Sequence, residues 1–388
     1  MPFPISVDVL VVGGGSAGLW LIDELRRTGR SAVLVESASL GSGQTIASQG
    51  ILHGGMKHYL VARPGTFVKA LGPMTRIWRE CLAGDREPDL SVVRRRSDSC
   101  YFWRTSSLVS LATSFGARFG IRSEIRKIAR ASLPETLRGA AGDVCVIDEQ
   151  VVDPHSLVSE LFKRNRKHTI RAGIRRVDYS ARNTVSSVEL NDQSGSLQMT
   201  LKPDFVVLTA GEGNSELRKL CGLPEQAMLR LPLQILVLRG NLPDLNGVCL
   251  EGIQAKAVIT THRLSRDDAV WQFASERIAP DAGEDFGRHA LAEISASLPG
   301  YNFPRVSVSV YTATRAECAT EDGGRSSDVA VFKEGNVITA WPTKLVLVPR
   351  MVERIMSYLP IQFDAGKTPR EIAEWPRPDV ASFPWPSA

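Results

Sequence analysis

The chain has 388 residues, 43% hydrophobic and 23% charged, which suits a globular enzyme and exceeds what one compact core usually serves, so two structural parts are expected. The net charge of +5 fits an anionic cofactor or substrate but is too diffuse for a nucleic-acid surface, and the runs Arg94-Arg95-Arg96 and Lys163 to Lys167 read as solvated faces. Six scattered cysteines without a CxxC pair exclude an evident zinc set or disulfide framework, so no metal is expected and a cytoplasmic setting fits; no signal-like start and no run of about 18 apolar residues predict a membrane span.

Val7 to Val12 is an apolar, β-branched run of the buried parallel-strand type. Gly13, Gly15 and Gly18 follow in GxGxxG spacing, and Leu19, Leu21, Ile22 and Leu25 then recur at helical intervals until Gly29. Ser31 to Val35 is a second strand with Glu36 at its end. Gly13 permits the tight turn, Gly15 lets a pyrophosphate reach the backbone, and Gly18 lets the helix pack on the strand. The helix start offers N–H groups to phosphate, and Glu36 can accept from ribose hydroxyls. This predicts a dinucleotide site, with FAD and NAD both open at this point.

The next stretch, "GQTIASQGILHGGMKHYL" from Gly43 to Leu60, holds four glycines and two histidines with almost no acid, as expected where backbone comes close to a ligand. "SCYFWRTSS" alternates like a strand, and residues from about 75 to 145 are expected in a second, antiparallel sheet. In "VIDEQVVDPHSL", Asp153 is an N-cap with Pro154 in the first turn. Phe205 to Thr209 is another buried strand, running into Ala210-Gly211. From Leu229 to Cys318 come four strand-like runs, ending in "RVSVSVYTATRAE". Val337 to Ala340 is a strand, and Leu345, Val348, Val352, Ile355 and Leu359 form one helical face after it. The proline- and tryptophan-rich tail is expected to wrap the surface or to be partly mobile.

Taken in order, "VVGGGSAG…E", the Gly43–Leu60 loop, "VIDEQVVDPHSLVSEL" and "DFVVLTAGEGNSEL" resemble the flavin-dependent D-amino-acid oxidase superfamily, which includes glycine oxidase, glycerol-3-phosphate dehydrogenase and L-2-hydroxyglutarate oxidase. The resemblance spans residues 7 to about 357 and implies FAD as cofactor. It implies an α/β fold, with a Rossmann-like FAD-binding domain (1–75, 145–225 and 330–360) interleaved with an antiparallel-sheet substrate domain (76–144 and 226–329) and a tail at 361–388.

Carried onto this chain, the resemblance implies cofactor contacts at Gly13, Gly15, Ser16, Ala17, Gly18, Glu36 and Ser37. Further contacts fall at Gly43, Gln44, Thr45, Ser48, Gln49 and Gly50 in the loop, at Val152, Ala210 and Gly211, and at Thr343, Lys344 and Leu345. It places His53 near the flavin. Hydride leaves an alcohol carbon only as the hydroxyl loses its proton, so an imidazole there is a candidate base. A loop-orienting or flavin-bonding role and a covalent flavin link are the alternatives. Arg315, in "YTATRAE", matches an arginine that clamps substrate carboxylate in the family; an ion pair with Glu317 is its other role, and Ala316 stands where relatives have proline. Tyr311 and His262 are weaker pocket candidates, and Lys57 is a candidate for attracting an anion. Trp341-Pro342-Thr343-Lys344 lacks the family's glycines, so Lys344 and a helix N-terminus are left to face the charge of the reduced flavin. The expected activity is oxidation of a small anionic substrate, a 2-hydroxy acid or polyol phosphate, by hydride transfer to flavin N5, with an amine or amino-acid oxidase as the alternative. The electron acceptor is unknown.

Overall fold

The computed structural model describes residues 4–54, 66–105, 125–180, 184–224, 226, 228–251, 254–278, 285–320, 326, 328–341, 344–361 and 369–385. Lys57, His58 and Thr343 lie outside the described residues.

The opening unit forms as its pattern predicts. β1 (Ile5–Val12) runs into the glycine turn, α1 (Ser16–Arg27) follows, and β2 (Ala32–Glu36) pairs parallel to β1. Both faces of β1 are buried, which is why its sequence is an unbroken apolar run. Val9 and Val11 face α1 and the helices α2 (Thr66–Ala83), α3 (Pro154–Asn165) and α6 (Val348–Met356). Leu10 and Val12 face the opposite layer, built partly by β9 (Gly173–Tyr179) and β10 (Val185–Asn191). The sheet is completed by β11 (Gln198–Leu208) and β18 (Val337–Trp341) on one side of β1 and β8 (Thr169–Arg171) beyond β2, all parallel, with β17 (Ala330–Glu334) antiparallel at the edge.

A second eight-stranded sheet has the order β16-β12-β15-β14-β13-β4-β6-β5, with β5 (Arg126–Lys127) and β6 (Ala141–Ile147) at one edge. Its long members are β12 (Met228–Gly240) and β16 (Val306–Cys318), joined over their whole length. β14 (Gln254–Arg263) and β15 (Ala269–Ala274) continue it, and "SCYFWRTSS" supplies β4 (Cys100–Arg104). The expectation of an antiparallel sheet needs one correction: β13 (Gly247–Glu251) runs parallel to β4. One face packs on the helix Phe286–Ser297 through Leu236, Leu238, Trp271 and Phe273. The other face, carrying Ile235, Val237 and Tyr311, turns towards the Gly43–His53 loop.

Arg96 departs from the expectation of a solvated basic run. Its side chain is 3% exposed, and its Nε lies 3.3 Å from Asp153 Oδ2. A local charge run does not show that a distant buried carboxylate will claim one of its members. Asp153 does cap α3, accepting from Ser156 N–H at 2.9 Å, with Pro154 in the first turn. The expected helical face from Leu345 also needs adjustment. Lys344 is extended, Leu345–Leu347 is a 3-10 turn, and the α-helix starts at Val348.

The tail is packed, as a strap across both sheets. Pro376 O accepts from Arg171 N–H, and Leu40 exchanges backbone bonds with Asp379 and Ala381. Phe383 and Trp385 then stack at 4.5 Å, and Phe383 packs against His262 at 4.7 Å.

Candidate active site

The glycine turn is shaped by contact. Gly13 has φ +108, and a Cβ there would fall 2.6 Å from Ala210 Cα; a Cβ on Gly18 would fall 2.0 Å from Gly13 O. Only glycine fits either place. Gly15 caps α1 without a side-chain bond, and the first turn of α1 has no acid. Thr45 Oγ1 accepts from Ser16 N–H at 3.2 Å, so the loop leans on the helix start beside Ala17. Glu36 accepts from Gly14 N–H at 2.7 Å and Ala38 N–H at 2.8 Å, which fixes its carboxylate at the strand end; Ser37 beside it is exposed.

Past Thr45 the loop enters a cleft of about 720 Å³, open mouth included. Gln44, Ser48, Gln49, Gly50 and His53 line one side, Lys344 and Leu345 another, and Leu233, Ile235, Ala313, Thr314 and Arg315 the roof. The roof follows from strand alternation. Ile235 pairs with Tyr311, Leu233 with Ala313 and Leu231 with Arg315, so the odd-numbered side chains of β12 and β16 share one face. His53, Arg315 and Lys344, distant in sequence, thus border one space.

The loop is tied to its surroundings. Gln49 Nε2 donates to Gln272 O at 2.9 Å and Val258 O at 3.1 Å, and Gln44 Oε1 accepts from Ala316 N–H at 3.3 Å. Ser48 Oγ has no hydrogen-bond partner among the described residues. Gly50 has φ +76, and a Cβ there would meet Val152 O at 2.0 Å, so only glycine fits. Gly43 and Gly211 would each carry a Cβ into open space.

Some expected residues stand elsewhere. Val152 does not line the cleft directly but is fully buried behind Gly50, donating its N–H to Gly50 O. Tyr311 and His262 are not among the cleft-lining residues. Tyr311 donates to Ala47 O at 2.9 Å behind the loop, and burial pushes its hydroxyl up to about 12. His262 Nδ1 lies 3.0 Å from Asp153 Oδ2, beneath the tail. Arg315 Nε is 3.6 Å from Glu317 Oε1, whose side chain is fully buried, so the ion pair and the cleft position coexist. One residue escaped the sequence reading. Glu149, 5% exposed, accepts from Gly54 N–H at 2.6 Å and reaches His53 Nδ1 at 3.4 Å.

A family model described as FAD dependent oxidoreductase (DAO) matches residues 8–321. The chain belongs to the DAO family of FAD-dependent oxidoreductases. It is 33% identical to the probable FAD-dependent oxidoreductase PA4991 of Pseudomonas aeruginosa, over 99% of each chain. The crystal structure of PA4991 superposes with a TM-score of 0.80 at 29% identity, covering 99% of both chains. L-amino acid deaminase from Proteus vulgaris (TM-score 0.65, 16% identity, 92% of this chain and 91% of that one) shares the fold. So does the FAD-bound L-α-glycerophosphate oxidase from Mycoplasma pneumoniae (TM-score 0.63, 13% identity, 96% and 99%).

As a DAO-family member the protein is an oxidoreductase that uses FAD. Its residues fit that cofactor: an uncapped twelve-residue helix with a glycine turn for pyrophosphate, a fixed carboxylate for ribose, and a loop with open space at Gly43 leading into the cleft. Among the described residues, no helix is long and apolar enough to cross a membrane.

Proposed function

We propose that this enzyme oxidises a small anionic hydroxy compound, a 2-hydroxy acid or a polyol phosphate. The observation that carries the reading is the convergence of one imidazole and two cationic side chains, His53, Arg315 and Lys344, on one cleft beside the cofactor loop. The bound flavin supplies the hydride acceptor. The chain supplies the proton chemistry and the grip. A neutral amine already has a lone pair to push, whereas an alcohol must shed a strongly held proton, and an imidazole is suited to take it near neutral pH. Arg315, oriented by Glu317 on the roof, suits a carboxylate or phosphate, and Lys344 adds a second positive charge to the lining. Leu233, Ile235 and Ala313 make the roof around Arg315 and Thr314 mostly apolar, which strengthens the attraction between the cations and an anion. In this reading the first sheet and its helices carry the cofactor, and the second sheet roofs the substrate.

Anaerobic titration with 2-hydroxy acids, glycerol 3-phosphate and amino acids, followed by the flavin visible band, tests this. Hydroxy compounds bleach the wild-type flavin, and His53→Ala slows that bleaching by about 10²–10⁴-fold. Bleaching by amino acids alone, unchanged in His53→Ala, refutes the reading in favour of amine oxidation.

A further inference from the structure

Glu149 is a buried carboxylate at the edge of the candidate active site. Its Oε1 accepts from Gly54 N–H at 2.6 Å. Its Oε2 makes no hydrogen bond among the described residues and lies 3.4 Å from His53 Nδ1. The chain on either side of it is buried at Ile147 and Val151, which belong to one apolar cluster with Ile51, Cys100 and Phe102. A buried carboxylate oxygen in apolar surroundings is costly unless a donor meets it. Among the described residues, the His53 ring lies close enough to do so, with Nδ1 3.4 Å away.

We propose that Glu149 is the positioning residue for His53: it draws the ring proton to Nδ1 and leaves Nε2 as the basic atom. The same carboxylate fixes the backbone one residue further on, so ring and main chain are held by a single group. When Nε2 takes the substrate's hydroxyl proton, the ring becomes an imidazolium with Nδ1–H still directed at Glu149, and the new positive charge forms beside an existing negative one. Glu149 itself keeps its charge throughout. This division of labour, in which a carboxylate sets tautomer and stabilises the imidazolium, is a general one for paired histidine bases.

The proposal deepens the reading of His53 as base but is testable apart from it. Ring 15N shifts of 15N-histidine-labelled holoenzyme, with His53 assigned by difference against His53→Asn, report the neutral tautomer directly. Protonated Nδ1 with unprotonated Nε2 is expected in the wild type; the opposite tautomer overturns the proposal without needing any variant. Glu149→Gln is expected to shift His53 towards the Nε2–H form and to slow flavin reduction at saturating hydroxy substrate about a hundredfold, with KM changed less than threefold and the flavin spectrum retained. An unchanged tautomer in Glu149→Gln, or a rate within twofold of wild type, refutes it. A normal Nδ1–H tautomer together with full activity in His53→Ala would leave the pairing standing and sink the base assignment.

Discussion

Replacing Asp153 by alanine should cost more stability than any single loss on the protein's surface. The carboxylate is fully buried and serves four partners at once: Ser156 N–H at 2.9 Å, Arg94 at 3.0 Å, Arg96 at 3.3 Å and His262 Nδ1 at 3.0 Å. Loss of the helix cap accounts for about 1 kcal/mol. Arg94 is 56% exposed and adds at most about 1 kcal/mol. The dominant part is Arg96, 3% exposed, whose guanidinium would be left buried without its counter-charge, a loss of about 3–5 kcal/mol. These contributions share one site and do not add fully, so about 4 kcal/mol is expected from urea unfolding of the holoenzyme. Asp153→Ala/Arg96→Met should recover most of it, because the orphaned charge goes with the arginine. A loss below about 1.5 kcal/mol for Asp153→Ala, or no recovery in the double variant, refutes this account.

The same cluster sets a pH dependence. Burial raises the Asp153 carboxyl, but the His262 ring, the Arg96 guanidinium, the Ser156 N–H and Arg94 outweigh it and hold the carboxyl well below its usual range. Burial also lowers the His262 imidazole, against the pull of Asp153. Both groups bind protons more readily when unfolded, so stability rises with pH through both windows. The His262 contribution is fully present above about pH 6.5 and declines as pH falls below it; the Asp153 contribution is fully present above about pH 4 and declines below that.

Three further expectations follow from contacts already described. Gly18→Ala would force a methyl to within 2.0 Å of Gly13 O, so it should lose about 1–3 kcal/mol and much of its FAD retention; a variant that keeps both refutes the close strand–helix contact. All six cysteines are buried, with burial pushing Cys81 and Cys249 up to about 12 and Cys221 up to about 11, so the native protein should react with a thiol reagent far more slowly than the urea-unfolded chain, and fast native labelling would contradict the burial. Arg315→Met should raise KM for an anionic substrate at least tenfold while changing kcat less, and an unaltered KM would remove Arg315 from substrate binding.

What was legible in the sequence follows the range of the causes. The β1–α1–β2 unit was readable because its strand is apolar on both faces and Gly18 is crowded by Gly13 O within the same turn, although the backbone that crowds Gly13 comes from Ala210, far along the chain. Arg315 was readable from the resemblance, and the alternation of "SVYTAT" ahead of it carries the roof once the β12 partner strand is known. Glu149 was not readable: its hydrogen bond to Gly54 spans 95 positions, and it sits in a segment whose visible signal is the helix cap four residues later. Arg96 was misread for the same reason, since its partner Asp153 lies 57 positions on. Periodicity and local charge report what a chain segment does to itself, and these pairs are settled by which segments meet.

The ties between the cofactor loop and the second sheet have a consequence for the order in which the cofactor site matures. The nucleotide end is assembled from neighbours in sequence, since β1 pairs with β2 across one short helix. The loop at the other end is held by Gln49 Nε2 donating to Gln272 O and by Tyr311 donating to Ala47 O, partners 223 and 264 positions apart. Contacts that close so long a loop form late, because the chain entropy they remove must first be matched by structure elsewhere. In refolding, the flavin end of the site should therefore acquire its final anchorage well after the phosphate cradle exists, and a nascent chain would present an adenine-nucleotide grip before it could hold an isoalloxazine ring in place.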